Sequence, residues 1–239
     1  MTATASPAAT EAWLGSVAQE VEGLDRSSTA ERVADVLRRR ITEGELPPGT
    51  RMSEASLSTA LGVSRNTLRE SFRLLAHEGL LVHQMHRGVF VTELSEPELR
   101  DLYRLRRTLE CGVVRALTTV DDEHLRALAD CLADATAAAD AGRWNAVGTA
   151  NMRFHEALVG LAGSRRMDAI ARRALAELRL AFHVVSSQRE LHESYVARNR
   201  ALLDLLAAGE FDRAAGELDV YLHDSEAELL EAHRTRRTP

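Results

Sequence analysis

Lysine is absent from this chain of 239 residues: all 30 basic side chains are arginine. Such a bias reflects the base composition of a GC-rich genome, so the arginine count alone says nothing about phosphate contacts. Cysteine is scarce. Cys111 and Cys131 stand apart with no C-x-x-C pair, which argues against a disulfide framework or a cysteine-based zinc site and fits a reducing cytoplasm. Both thiols are expected as small buried hydrophobes. Aromatics reach only 4%, so Leu, Ala and Val must fill the core that a hydrophobic content of 45% allows. Long apolar runs are missing too, and no segment has the length and hydropathy to span a membrane. Met1–Thr10 are small and polar, without a basic n-region or an apolar h-region, so no secretory signal is expected. The net charge of −6 speaks against a protein that coats nucleic acid indiscriminately. It leaves room for a sequence-specific reader that concentrates positive charge locally.

What is there divides into two texts. Residues 1–28 carry no strong period and read as a flexible tail, with a helical turn or two around Trp13–Leu24. Residues 29–93 form the first domain. Val33, Leu37 and Ile41 repeat at helical spacing and stop at Gly44 and Pro47-Pro48-Gly49. Ser53 caps a second short helix with Leu57 and Leu61 inward, closed by Gly62. Ser64 caps a third, which buries Leu68, Phe72 and Leu75. Leu80–Gln84 and Val89–Thr92 are β-prone and read as a hairpin across Met85-His86-Arg87-Gly88. After a linker at 94–97, residues 98–239 read as six helices at about 98–118, 121–140, 144–161, 164–187, 190–208 and 211–234. Short turns make them an antiparallel bundle. The fold class is mainly α: a winged helix-turn-helix followed by a six-helix bundle.

Two helices around a Gly-containing turn, then a hairpin, give the pattern of a helix-turn-helix with a wing. With Leu68, Phe72 and Leu75 inward, Arg65, Asn66, Arg69 and Arg73 point outward. Their forked donors and acceptors match guanine and adenine edges in the major groove. Ser64 and Thr67 sit at the first turn, where hydroxyls and free N–H groups suit a phosphate oxygen. Arg87-Gly88 at the hairpin tip suits the minor groove. The alternative is an ordinary solvated face in which Arg69 and Arg73 pair with Glu70 or Glu78.

These residues also carry a resemblance. Ile41-x-x-Gly44-x-Leu46-x-Pro48-Gly49, then Ser53-Glu54-x-x-Leu57-x-x-x-Leu61-Gly62-Val63-Ser64-Arg65-x-x-Leu68-Arg69-Glu70, and Arg87-Gly88-Val89-x-Val91 resemble the GntR-family winged helix domain over about 30–93. The resemblance implies base and phosphate contacts from Ser64, Arg65, Asn66, Thr67 and Arg69, aided by Arg87 and Gly88. Ala55 departs from relatives that carry a DNA-touching Arg there. The helical half resembles the FCD effector domain of the FadR subfamily, through Leu102-Tyr103-x-x-Arg106-x-x-Leu109-Glu110, Asn151-x-x-x-His155 and Leu202-Leu203-Asp204-x-x-x-x-Gly209. Six helices rather than seven place it nearer the VanR-like branch.

Many FCD domains hold a divalent metal through an Asp and a His four residues apart plus two later histidines. Here that pattern falls on Asn151, His155, Asn199 and Tyr221, of which only His155 keeps the type. Neutral amides and a phenol are poor ligands, and His223 lies about 200° round the helix from Tyr221. The expectation is no metal and no other cofactor, with His155 the one residual metal candidate. Either these four residues line an effector pocket, or His155 is a core histidine bonded to Asn151 or Asn199, with His183 in possible reach. Arg106 clamps an effector carboxylate bidentately or pairs with Glu110 one turn away; the acidic effector itself is implied by the resemblance alone.

The expectation is a cytoplasmic homodimeric transcriptional regulator, a repressor in sign, on a palindromic DNA operator, retuned by a small-molecule effector, a carboxylate. The alternatives are an effector-independent architectural DNA protein, which the charge opposes, and an α-helical enzyme. For the latter, no Ser/His/Asp set, phosphate loop or carboxylate pair with a base is visible.

Overall fold

The computed structural model describes residues 28–182 and 188–237. The tail reading for residues 1–27, including Trp13–Leu24, and His183 lie outside them. The chain divides into two compact units, with the boundary between Glu93 and Leu94.

In the first unit, α1 (Thr29–Thr42) opens on a capping box, Ser28 and Glu31 each satisfying the other's backbone N–H. It buries Val33, Val36, Leu37 and Ile41. A two-residue strand β1 (Arg51–Met52) precedes α2 (Glu54–Leu61), whose N-cap is Ser53. Gly62 ends α2 in the left-handed region at φ +62, the conformation that lets the chain turn sharply into α3 (Arg65–His77). Ser64 caps α3 by accepting from Thr67 N. Strands β2 (Leu81–Gln84) and β3 (Gly88–Val91) form the wing. The sheet order is β1-β3-β2, with Arg51 opposite Phe90 and Val82 also opposite Phe90 on the other side. Strand β1 was not expected from the sequence, because two residues cannot show a period.

α1 packs on α3. Leu68, Phe72 and Leu75 are fully buried, as is Ser71, whose hydroxyl donates to Ala30 O at 2.8 Å and so ties α3 to the start of α1. At the other end, Arg38 grips Glu78 through Nε and Nη2, each at 2.6 Å.

The second unit begins with α4 (Glu96–Arg106), which runs through a π-helical turn (Arg107–Cys111) into α5 (Gly112–Ala116). Then follow α6 (Asp122–Asp140), α7 (Trp144–Gly160), α8 (Arg165–Ala181), α9 (Gln188–Ala207) and α10 (Phe211–Arg237). The first helical stretch of the bundle starts and stops two residues earlier than the sequence period suggests, because Ser95 and Glu98 close its N-terminus. The core is aliphatic with a few rings: Tyr103, Leu128, Phe154, Leu178, Leu202 and Leu222 meet in one cluster. No helix of the described residues is long and apolar enough to cross a membrane.

A candidate DNA-reading face and a buried polar cluster

The inward set of α3 fixes its outward set. Arg65, Asn66, Arg69 and Arg73 are all exposed. Among the described residues Arg65 makes no ion pair, whereas Arg73 Nη1 lies 3.1 Å from Glu70 and Arg69 Nε lies 2.8 Å from Glu54. The Arg69 partner is neither Glu70 nor Glu78, the two named in the solvated-face alternative. Glu54 belongs to another helix, beyond the reach of a spacing rule, and Glu78 is taken by Arg38. The Ser64 and Thr67 hydroxyls lie 2.8 Å apart at the start of α3. At the wing tip, His86 and Gly88 both have positive φ, +61 and +110, and the Arg87 guanidinium lies 5.6 Å from the Phe90 ring centre.

One exposed cation here was not singled out by sequence reasoning. The Arg51 side chain makes no hydrogen bond or ion pair among the described residues, and its Nε would lie 3.6 Å from a Cβ placed on Gly88. It borders a cleft of about 440 Å³ with Ser53, Glu54, Ala55 and Val89. Its signal, an Arg before a buried Met, is legible only once β1 is seen to pair with the wing.

In the bundle, all five residues expected at the effector site come together, each 3% exposed or less. Arg106 Nε donates to Glu110 Oε1 at 2.6 Å, and the other carboxylate oxygen lies 2.7 Å from His155 Nδ1. His155 Nε2 is 3.4 Å from the Tyr221 hydroxyl, which donates to Asn151 Oδ1 at 3.2 Å. Asn199 Nδ2 donates to the same oxygen at 2.6 Å. Thus His155 bonds Glu110 and lies against the Tyr221 hydroxyl, rather than bonding Asn151 or Asn199 as the core-histidine alternative had it. Arg106 forms the ion pair with Glu110 that was one of its two readings. Asn199 Oδ1 is buried with no partner among the described residues.

Electrostatics make this cluster nearly neutral. Burial opposes the charge on Arg106, yet the adjacent Glu110 holds its guanidinium above its ordinary value. Burial likewise opposes ionisation of Glu110, and Arg106 with His155 holds its carboxyl below the usual range. For His155, burial wins over the pull of Glu110 and keeps the ring neutral. Burial also raises the Tyr221 phenol and pushes Tyr103 up to about 12. A second chain of hydroxyls adjoins: Ser225 Oγ lies 2.6 Å from the Tyr103 hydroxyl and 2.8 Å from that of Tyr195. The donor set does not fit a divalent metal, since it offers one free imidazole nitrogen, two neutral amides and a protonated phenol. The carboxylate of Glu110 is already held on both oxygens, and His223 is exposed.

Comparison with known proteins gives these two arrangements a context. Residues 29–91 match the family described as bacterial regulatory proteins, gntR family, and residues 101–224 match the FCD domain. The crystal structure of a putative transcriptional regulator GntR from Rhodococcus sp. RHA1 is 39% identical, covers 86% of this chain and 99% of its own, and superposes with a TM-score of 0.81. A probable D-xylose utilization operon transcriptional repressor of Paenarthrobacter nicotinovorans is 27% identical over 78% of this chain and 82% of its own length. An HTH-type transcriptional regulator of Bacillus subtilis (strain 168) is 32% identical over 55% of this chain, and the match spans 59% of that protein.

Proposed function

The chain belongs to the GntR family of bacterial regulatory proteins and carries an FCD domain as its second half, which makes it a DNA-binding transcriptional regulator of repressor type; from that premise we propose that it binds a palindromic operator as a homodimer and lets go when a small metabolite enters its helical bundle. Its domains and relatives are those of regulators, not enzymes.

The observation that carries the DNA half is the exposed row Arg65, Asn66, Arg69 and Arg73 on a helix whose opposite face is fully buried. In this reading α3 enters the major groove, Ser64 and Thr67 take a phosphate, and Arg87 with Gly88 reaches the neighbouring backbone or minor groove. A palindromic site follows from two-fold symmetry. An apolar cleft of about 700 Å³, with exposed Leu105, Met167 and Ile170 on its walls, favours the bundle as the dimer contact.

For the effector half, the convergence of Arg106, Asn151, His155, Asn199 and Tyr221 supports one buried site. An organic acid there has to displace Glu110 from Arg106 to gain its guanidinium. A neutral hydroxylated metabolite is the second reading, favoured by the unpartnered Asn199 Oδ1, since a hydroxyl donates to it without adding charge. The Paenarthrobacter relative is named for an operon of a sugar of that class.

Selection of duplexes from a randomised pool, followed by binding in the presence of small carboxylates and of sugars or polyols, tests both halves. The expected result is an enriched inverted repeat that one ligand class releases. A ligand that also raises the thermal midpoint of the wild type but not of Asn199→Ala supports this site. Enrichment of no sequence would sink the operator reading.

A further inference from the structure

The recognition helix carries its base-reading cation in a defined pose, and the residue that sets the pose lies on the other helix of the pair. Arg69 Nε donates to Glu54 Oε2 at 2.8 Å, across fifteen positions of sequence. The Arg69 side chain has no other hydrogen bond or ion pair among the described residues, so both of its Nη groups are free. Glu54 stands at the start of its own helix. It is the first residue of α2, directly after the Ser53 cap, where a carboxylate is stabilised by the helix dipole.

Three chemical facts then combine. A guanidinium can approach guanine O6 and N7 either side-on, through Nε and one Nη, or end-on, through both Nη groups. With Nε held by a carboxylate, only the end-on fork is open. An unrestrained arginine loses much rotamer freedom on binding, whereas one held by Glu54 has lost part of it beforehand. Finally, a carboxylate beside the groove repels phosphate, so Glu54 weakens sequence-blind attraction while it aids the specific contact. Arg65 and Arg51, which have no acidic partner among the described residues, carry no such restraint.

We propose that Glu54 is a positioning and specificity-determining residue of the DNA-reading face: it holds Arg69 for an end-on contact to one guanine per half-site and suppresses binding to non-cognate duplex. This rests on the DNA-binding reading given above.

The test uses the full chain, the duplex that the wild type enriches from a randomised pool, and one random-sequence duplex. Glu54→Ala removes both hydrogen bond and charge; Glu54→Gln removes the charge but keeps an oxygen that can accept from Nε. Both variants are expected to bind the random duplex more tightly than the wild type, most clearly at low salt. Discrimination at one base pair per half-site should fall in the order wild type, Gln, Ala, by roughly five- to tenfold for Ala. In an Arg69→Ala background the Glu54→Ala change should cause no further loss of discrimination, since its effect runs through Arg69. A structural role would instead lower the thermal midpoint and weaken both duplexes together. An Ala variant with wild-type discrimination, or losses that add in the double variant, would overturn the inference and leave the regulator reading standing. A wild type that enriches nothing would overturn both.

Discussion

Glu110 holds Arg106 one helical turn behind it, Nε to Oε1 at 2.6 Å, with the two side chains 4% and 2% exposed. The pair sits where α4 passes through a π-helical turn, and turns of that kind are frequent at functional sites. Neither charge reaches solvent. Each is tolerable because of the other.

Removing one partner should therefore cost far more than the pair contributes. Glu110→Gln leaves a buried guanidinium uncompensated and is expected to destabilise the bundle by about 3–5 kcal/mol. Urea unfolding followed by circular dichroism checks this. The double change Arg106→Met with Glu110→Leu should recover most of the loss. If Glu110→Gln unfolds at the wild-type urea concentration, the pair is not the closed unit described.

Acid should act on the same cluster. His155 is neutral in the fold, with its proton affinity below the ordinary value of 6.5. The unfolded chain then binds the extra proton first, so stability present above that value is lost as pH falls through it toward the folded value. Glu110, held below the ordinary 4.5, adds a loss of the same sign at lower pH. The thermal midpoint should fall from pH 7 toward pH 4, and His155→Gln should flatten the upper part of that fall. A midpoint that rises on acidification would contradict the assigned neutral ring.

On the DNA face, Arg51 and Arg65 make no ion pair among the described residues. If Arg51 meets a phosphate, Arg51→Ala should weaken binding to cognate and random duplex alike and reduce the slope of log K against log salt by about 0.9. Fluorescence anisotropy across a salt series reads both quantities. Loss confined to the cognate duplex would instead make Arg51 a base reader.

The wing offers a backbone test. Gly88 has φ +110, a region that side chains rarely adopt, and a Cβ there would meet the Arg51 side chain. Gly88→Val should carry a strain of about 1–3 kcal/mol and lower DNA affinity while leaving the bundle transition in place. Equal affinity with unchanged stability would show that the tip re-forms elsewhere.

Much of this was legible in the sequence. The spacing of Leu68, Phe72 and Leu75 already placed Arg65, Asn66, Arg69 and Arg73 outward, because a helix with one buried face has only one face left. Ser53, Ser64 and Gly62 marked helix ends through local hydrogen bonding and backbone freedom, which depend on a few neighbouring residues. The five bundle residues were named through family resemblance, and packing brings them together.

The partners were not legible. Arg69 was read against Glu70 or Glu78 in its own stretch of chain, yet it bonds Glu54, and His155 bonds Glu110 across 45 positions rather than Asn151 or Asn199. Strand β1, the π-helical turn and the exposed place of Arg51 likewise left no periodic trace. The arginine-only, cysteine-poor sequence by itself determined which residues turn inward, which cap, and which carry charge. Tertiary structure alone decided who neutralises whom, because the choice among several nearby carboxylates is made by where separate helices meet in space, and spacing along the chain carries no record of that meeting.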